Sequence, residues 1–178
     1  MLSFPEATMG NSGVREAIER LSVAVRADPA KARAKNVPAT ACLTEGLKFE
    51  VSGPNKERVV TDMPAPMGGG ASAPTPAWFL RAGMASCTAT TIAMRAAKLG
   101  IALTALEVTV ESDSDLRGLL GLDENVSAGL NPMRTKVRIS GEADAQALRA
   151  LVEWADAHSP VGCTVKNAAA CSLDIEVV

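Results

Sequence analysis

The sequence predicts an α+β fold, and three observations carry that expectation. Strand patterns and helical patterns fall in separate blocks rather than in strict alternation. One long helical stretch, residues 74–100, lies between two blocks of strands. The length, 178 residues, suits one core. A single domain over 1–178 is therefore expected, with an N-terminal helical extension over 1–30 and the core over 31–178.

Residues 1–12 carry no period and read as loose. In 14–27, Val14, Ile18, Leu21 and Val25 recur at helical spacing, and Asp28-Pro29 ends the pattern. From Lys31 the pattern turns to strands, over 31–37, 39–45, 47–52 and 58–61, with Glu45-Gly46 and Gly53-Pro54-Asn55 as turns. Residues 62–73 (DMPAPMGGGASA) form a loop. The Gly68-Gly69-Gly70 run reads as turn chemistry rather than a phosphate loop, because no Gly-Lys-Ser/Thr follows and the next helix opens on prolines.

The stretch 74–100 is the core helix. Thr75 suits its N-cap, Pro76 its first turn, Lys98 its last turn and Gly100 its stop. Leu80, Met84, Cys87, Thr91 and Met94 recur at helical spacing and read as its inward stripe. Alanines, glycine and serine elsewhere leave little bulk, so close packing on more than one side is expected. A strand follows over 103–112, with Leu106, Val108 and Val110 alternating with Glu107, Thr109 and Glu111. Residues 113–132 are long for a connection. Leu116, Leu119, Leu120 and Leu122 suggest either a short helical flap over a groove or a cluster covering the sheet edge. A strand over 133–141, an amphipathic helix over 143–157, a short helix capped by Ser159 with Pro160 at its first position, and a closing strand over 170–178 complete the order.

Composition narrows the function. A net charge of −2 and 3% aromatic residues without tyrosine argue against nucleic-acid partners and anionic membranes. No apolar stretch reaches the roughly 20 residues of a membrane helix, since Arg81 and Arg95 interrupt the best candidate. The opening MLSFPEATMG lacks the features of a secretory leader, so a cytoplasmic protein is expected. Cys42, Cys87, Cys163 and Cys171 are far apart with a single histidine, which predicts no metal site and no disulfide framework.

A thiol works through its thiolate. Cys87 lies too deep in its helix for the N-terminal dipole, and Arg81 and Arg95 are six and eight residues away, outside i±3 and i±4 reach. A cation would have to come from another segment, with Arg58, Arg134 and His158 as candidates; otherwise Cys87 is a small core residue. Cys163, in the first turn after Ser159, is either dipole-favoured as a thiolate or simply buried. Cys42 and Cys171 sit in strand patterns and read as packing. His158 reads as a histidine at a helix C-terminus, with general base as the alternative.

Asp62-Met63-Pro64, the glycine run, Pro74-Thr75-Pro76, Met84-Ala85-Ser86-Cys87-Thr88-Ala89 and Leu99-Gly100-Ile101 resemble the OsmC/Ohr family, as does 155–165, ADAHSPVGCTV. The resemblance, over about residues 30–178, implies an OsmC-like fold, a long central helix wrapped by antiparallel sheets in an intertwined homodimer. It also implies a thiol-dependent organic hydroperoxide reductase of oxidative-stress defence. Cys87 matches the peroxidatic cysteine, which becomes a sulfenic acid, pairs with a second cysteine and is restored by an external dithiol, often on a lipoyl-bearing protein, with no bound cofactor. The second cysteine's position holds Ser159, leaving Cys163 as the resolving candidate. The family's first-turn glutamate is matched by Pro76-Ala77-Trp78. Arg58 is the candidate for stabilising the thiolate, and Trp78 and Met84 for lining the substrate site.

Two rival readings accompany this one. In one, a catalytically silent dimer holds a small apolar molecule in the groove around Cys87, Trp78 and the 113–132 flap. In the other, a small thiol reduces the Cys87 sulfenic acid directly.

Overall fold

The computed structural model describes residues 11–178. The loose stretch expected over 1–12 and the opening segment read as lacking a leader lie outside these residues, except that Asn11 and Ser12 begin a helix. In order, the elements are α1 (Asn11–Ala27), β1 (Thr40–Glu45), β2 (Lys48–Ser52), β3 (Arg58–Thr61), α2 (Pro76–Leu99), β4 (Leu103–Ser112), α3 (Leu116–Leu119), β5 (Met133–Gly141), α4 (Ala145–His158) and α5 (Pro160–Lys166). Among the described residues, no helix is long and apolar enough to cross a membrane.

The described residues form two compact units, one of 19–82 with 110–134, the other of 83–109 with 135–178 and 11–18. Their boundaries fall inside α1, α2, β4 and β5, so neither unit is one continuous segment.

In the first unit, β1, β2 and β3 form an antiparallel sheet in that order, with an irregularity in register between Leu43 and Glu45. The loop after β3 folds around a carboxylate. Asp62, 2% exposed, accepts from the N–H groups of Met63 (2.7 Å), Gly70 (3.2 Å) and Ser72 (2.9 Å) and from the Ser72 hydroxyl (2.8 Å). A Cβ on Gly69 would stand 1.9 Å from the Met63 carbonyl oxygen, so only glycine fits where the loop doubles back. The N–H groups of the glycine run that a bound anion would need are thus taken within the loop, Gly70 by the Asp62 carboxylate and Gly68 and Gly69 by the Ala65 and Pro64 carbonyls. The expected strand at 31–37 is absent: Asp28 caps a 3-10 turn (Pro29–Ala32), accepting from Ala30 N–H at 3.2 Å, and irregular chain follows. Its alternating Ala and Lys offer no apolar face to bury.

The connector 113–132 is closed at its base by Arg134, which donates twice to Asp113 (2.8 and 2.9 Å). It carries the expected short helix, capped by Asp115. Its four leucines are all exposed, so they do not form a cluster covering the sheet edge.

The second unit holds the apolar core. Ile92 and Ala96 of α2 meet Leu151 and Ala155 of α4, with Leu103, Leu106, Val108, Val137 and Ile139 of the two-stranded β4–β5 sheet packed against them. Helix α2 ends in a Schellman turn: Ile101 N–H donates to Ala96 O (3.0 Å), Gly100 N–H donates to Ala97 O (3.1 Å), and Gly100 has φ +73°.

Two expectations are corrected here. The buried stripe of α2 is Met84, Thr88, Ile92 and Ala96, one residue around from the expected one; Leu80 and Met94 are exposed and Cys87 is only half-buried. The i, i+4 spacing brings the smallest available residue, Ala96, against α4, whereas the expected stripe would have forced Met94 there. Residues 170–178 form no strand. Leu173 is 83% exposed, and Ile175 and Val177 are exposed too, because alternation alone does not make a strand without an edge to bond. Cys42 and Cys171 are accordingly exposed rather than packed.

The hydrogen bonds from Ser72 and from the Met63 and Gly70 backbone hold the Asp62 carboxyl down at about 2, against an ordinary 3.8. Such a group stabilises the fold above its unfolded pKa, and that contribution disappears as pH falls through its folded value. Urea denaturation between about pH 5 and pH 2 is therefore expected to show a steep stability loss in the native chain and a shallower one in Asp62→Asn, which is already less stable at pH 7.

Candidate active site

Cys87 sits in the middle of α2, eleven residues beyond Pro76 and half-buried. Its carbonyl accepts from the Thr91 hydroxyl (2.8 Å), a bond within the helix. Beside it, Thr88 is 2% exposed and donates its hydroxyl to Ser159 Oγ at 3.4 Å, and Ser159 is 1% exposed. The same Ser159 oxygen caps α5, accepting Gly162 N–H at 3.3 Å. A Cβ on Gly162 would lie 3.3 Å from Ser159, so packing is tight where α4 gives way to α5. One buried hydroxyl thus ties the α4–α5 junction to α2, one residue along from the thiol.

Cys163 lies one turn into α5, half-buried, and its Sγ–H donates to the Ala157 carbonyl at 3.2 Å. All four cysteines are free thiols.

The cations that the sequence offers to a thiolate all have other partners. Arg58 pairs with Glu50, because the β2–β3 register sets Ser52 opposite Arg58 and Glu50 opposite Val60, making the two diagonal neighbours. Arg134 is held in its bidentate pair with Asp113, which raises its own pKa and lowers that of the acid. His158 stacks on Trp154 (centroids 4.0 Å, 11° between planes), and its Nδ1 lies 2.7 Å from Trp154 O. Arg95 lies over the Trp154 ring, 4.4 Å from its centroid, with a buried Nε that lacks a hydrogen-bond partner among the described residues.

Of the two residues expected to line a substrate site, Met84 is 4% exposed and points into packing. Trp78 is 47% exposed and lines a groove of about 400 Å³ with Pro64, Ala73, Pro74, Thr75 and Arg81. Thr75 caps α2 as expected, its hydroxyl accepting Trp78 N–H at 3.2 Å. Sequence reasoning missed Thr88 and Arg81. The Met84–Thr88–Ile92–Ala96 period was the signal for the first. For the second, the signal was the one cation in the first half of a helix built there of small and apolar residues.

A half-buried thiol on a long helix, packed over a sheet and a second helix and touched by a capped helix–helix junction, defines a thiol-bearing α+β protein. The chain belongs to the family of OsmC-like proteins, whose profile matches residues 68–174. An OsmC-like protein from Mycoplasma pneumoniae has a similar structure, with a TM-score of 0.65 at 17% identity over 76% of this chain and 91% of that one. An organic hydroperoxide resistance protein from Elizabethkingia anophelis gives 0.60 at 19% identity over 76% and 91%. One from Legionella pneumophila gives 0.53 at 19% over 76% and 92%. At such identities the likeness is one of fold. No curated protein matches the chain.

Removing the Ser159 hydroxyl leaves both the Thr88 hydroxyl and the Gly162 N–H without their partner. Ser159→Ala is expected to destabilise the protein by about 1–3 kcal/mol, measured by chemical denaturation, whereas Ser159→Cys, which keeps a weak acceptor, loses less.

Proposed function

We propose that this protein is a thiol-dependent organic hydroperoxide reductase in which Cys87 is the peroxidatic residue. The observation that carries the reading is the half-buried position of Cys87 on the helix that the family profile matches. Organic hydroperoxide resistance proteins of the same fold support it. The thiolate sulfur attacks the terminal peroxide oxygen, the O–O bond breaks, and the departing alkoxide takes a proton from solvent. The products are Cys87 sulfenic acid and an alcohol. A second thiol then attacks the sulfenic sulfur, releasing water and leaving a disulfide, which an external dithiol reduces. Cys163 is the resolving thiol in this reading.

A second reading concerns that resolving step. Ser159 holds the position facing α2, and the Cys163 thiol donates to Ala157, which favours resolution by an external small thiol. We also propose that the protein works as a homodimer. Apolar side chains left exposed along α2 (Leu80, Met94) and in 173–178 support that assembly.

Thiol counting after one equivalent of cumene hydroperoxide separates these readings. Two thiols lost, with a Cys87–Cys163 peptide, identify the internal disulfide; one lost, with Cys87 trapped by a sulfenic-acid reagent, identifies the external thiol. Cys87→Ser is expected to lower peroxide turnover by about 10³-fold or more. Unchanged thiols in the native chain would overturn the enzymatic reading and leave a ligand-binding protein.

A further inference from the structure

The Trp78 groove carries a charge that no carboxylate among the described residues neutralises. Arg81 is half-buried and lines the groove, and among the described residues its guanidinium has one polar partner, the neutral Ser112 hydroxyl, to which Nη1 donates at 3.1 Å. Arg58, Arg117, Arg134 and Arg138 each face a carboxylate instead. Among the described residues, no acidic one lines the groove. The acid at the base of the same loop, Asp62, has both oxygens occupied by four donors, so it does not serve as the counter-ion.

The remaining lining is mostly apolar, formed by Trp78, Pro64, Pro74, Ala71 and Ala73, with Thr75, whose hydroxyl is engaged by the Trp78 N–H, as its other member. Trp78 is itself braced edge-on by Phe79, with centroids 5.2 Å apart. The floor is preorganised, because the loop 62–72 is pinned through Asp62. A guanidinium presents a planar fork matched to a carboxylate, and partial burial strengthens such a pair over a fully solvated one. One cation set in apolar walls suits a monoanion with a hydrocarbon body better than a dianion. A volume of about 400 Å³ suits a ligand of ring size.

We propose that this groove is a binding site for small apolar monocarboxylates, with Arg81 anchoring the carboxylate and Trp78 and the prolines holding the hydrocarbon. The site is independent of the thiol chemistry proposed above, and the test keeps the two apart by using the Cys87→Ser chain beside the native one.

The experiment is calorimetric titration of the full chain with 4-phenylbutyrate and with its uncharged analogue 4-phenylbutyramide. The acid is expected to bind with a Kd near or below about 1 mM, and the amide about tenfold or more weaker. Arg81→Met is expected to reduce acid binding to the level of the amide while leaving the amide unchanged, and Arg81→Lys to fall between. Cys87→Ser is expected to bind both as the native chain does. Equal binding of acid and amide, unaltered acid binding by a folded Arg81→Met, or no binding of the acid would overturn the proposal. Displacement of the acid by equimolar inorganic phosphate would overturn the monocarboxylate class. If Arg81→Met does not fold, the acid-to-amide ratio of the native chain decides alone.

Discussion

Close approach of α2 and α4 is the constraint on which the core unit depends. Ala96 and Ala155 are both fully buried in one cluster with Ile92 and Leu151, and neither carries more than a methyl group. Interiors packed to crystal-like density leave no slack for a larger side chain at such a crossing. Which residues of α2 face inward then follows, and so does the placement of Cys87 on the shoulder of the buried stripe rather than within it. The Thr88–Ser159 hydroxyl contact belongs to the same arrangement. It satisfies two buried oxygens that an apolar interior would otherwise penalise.

Charge is handled differently in the two units. In the unit containing β1–β3, carboxylates are tied down by local partners: Asp62 by backbone N–H groups and a hydroxyl, Asp113 by Arg134, Asp115 by Arg117. The last of these is likewise held at about 2, first by the Arg117 side chain and then by its N–H. These pairs shape the two loops of that unit and leave Arg81 without an anionic partner among the described residues. In the core unit, Arg95 is set over Trp154, which in turn stacks on His158, so that arginine serves helix packing. The thiol chemistry proposed above needs a cation to favour the thiolate, yet Arg58, Arg134 and His158 each have another partner.

Much of the fold was legible from local signals. Thr75, Gly100, Ser159 and the Glu45-Gly46 turn each act through neighbours within a few residues, so spacing alone located the ends of α2, the start of α5 and the β1–β2 hairpin. The glycine run was read as turn chemistry, and the loop bears this out. The missed features depend on distant partners. The strands expected at 31–37 and 170–178 had extended patterns but no edge to join. The inward face of α2 turned on the size of what opposes it.

By itself, the sequence determined the α+β class, the element order around a long helix, and the resemblance that family membership confirms. Capping, periodicity and motif spacing are written into adjacent residues. Only the tertiary structure decided that Thr88 rather than Cys87 is fully buried, that Ser159 touches α2, that Arg58 belongs to Glu50, and that Arg81 opens onto a groove. Each of those outcomes depends on a neighbour from another element, whose identity the sequence shows but whose proximity only pairing and packing supply.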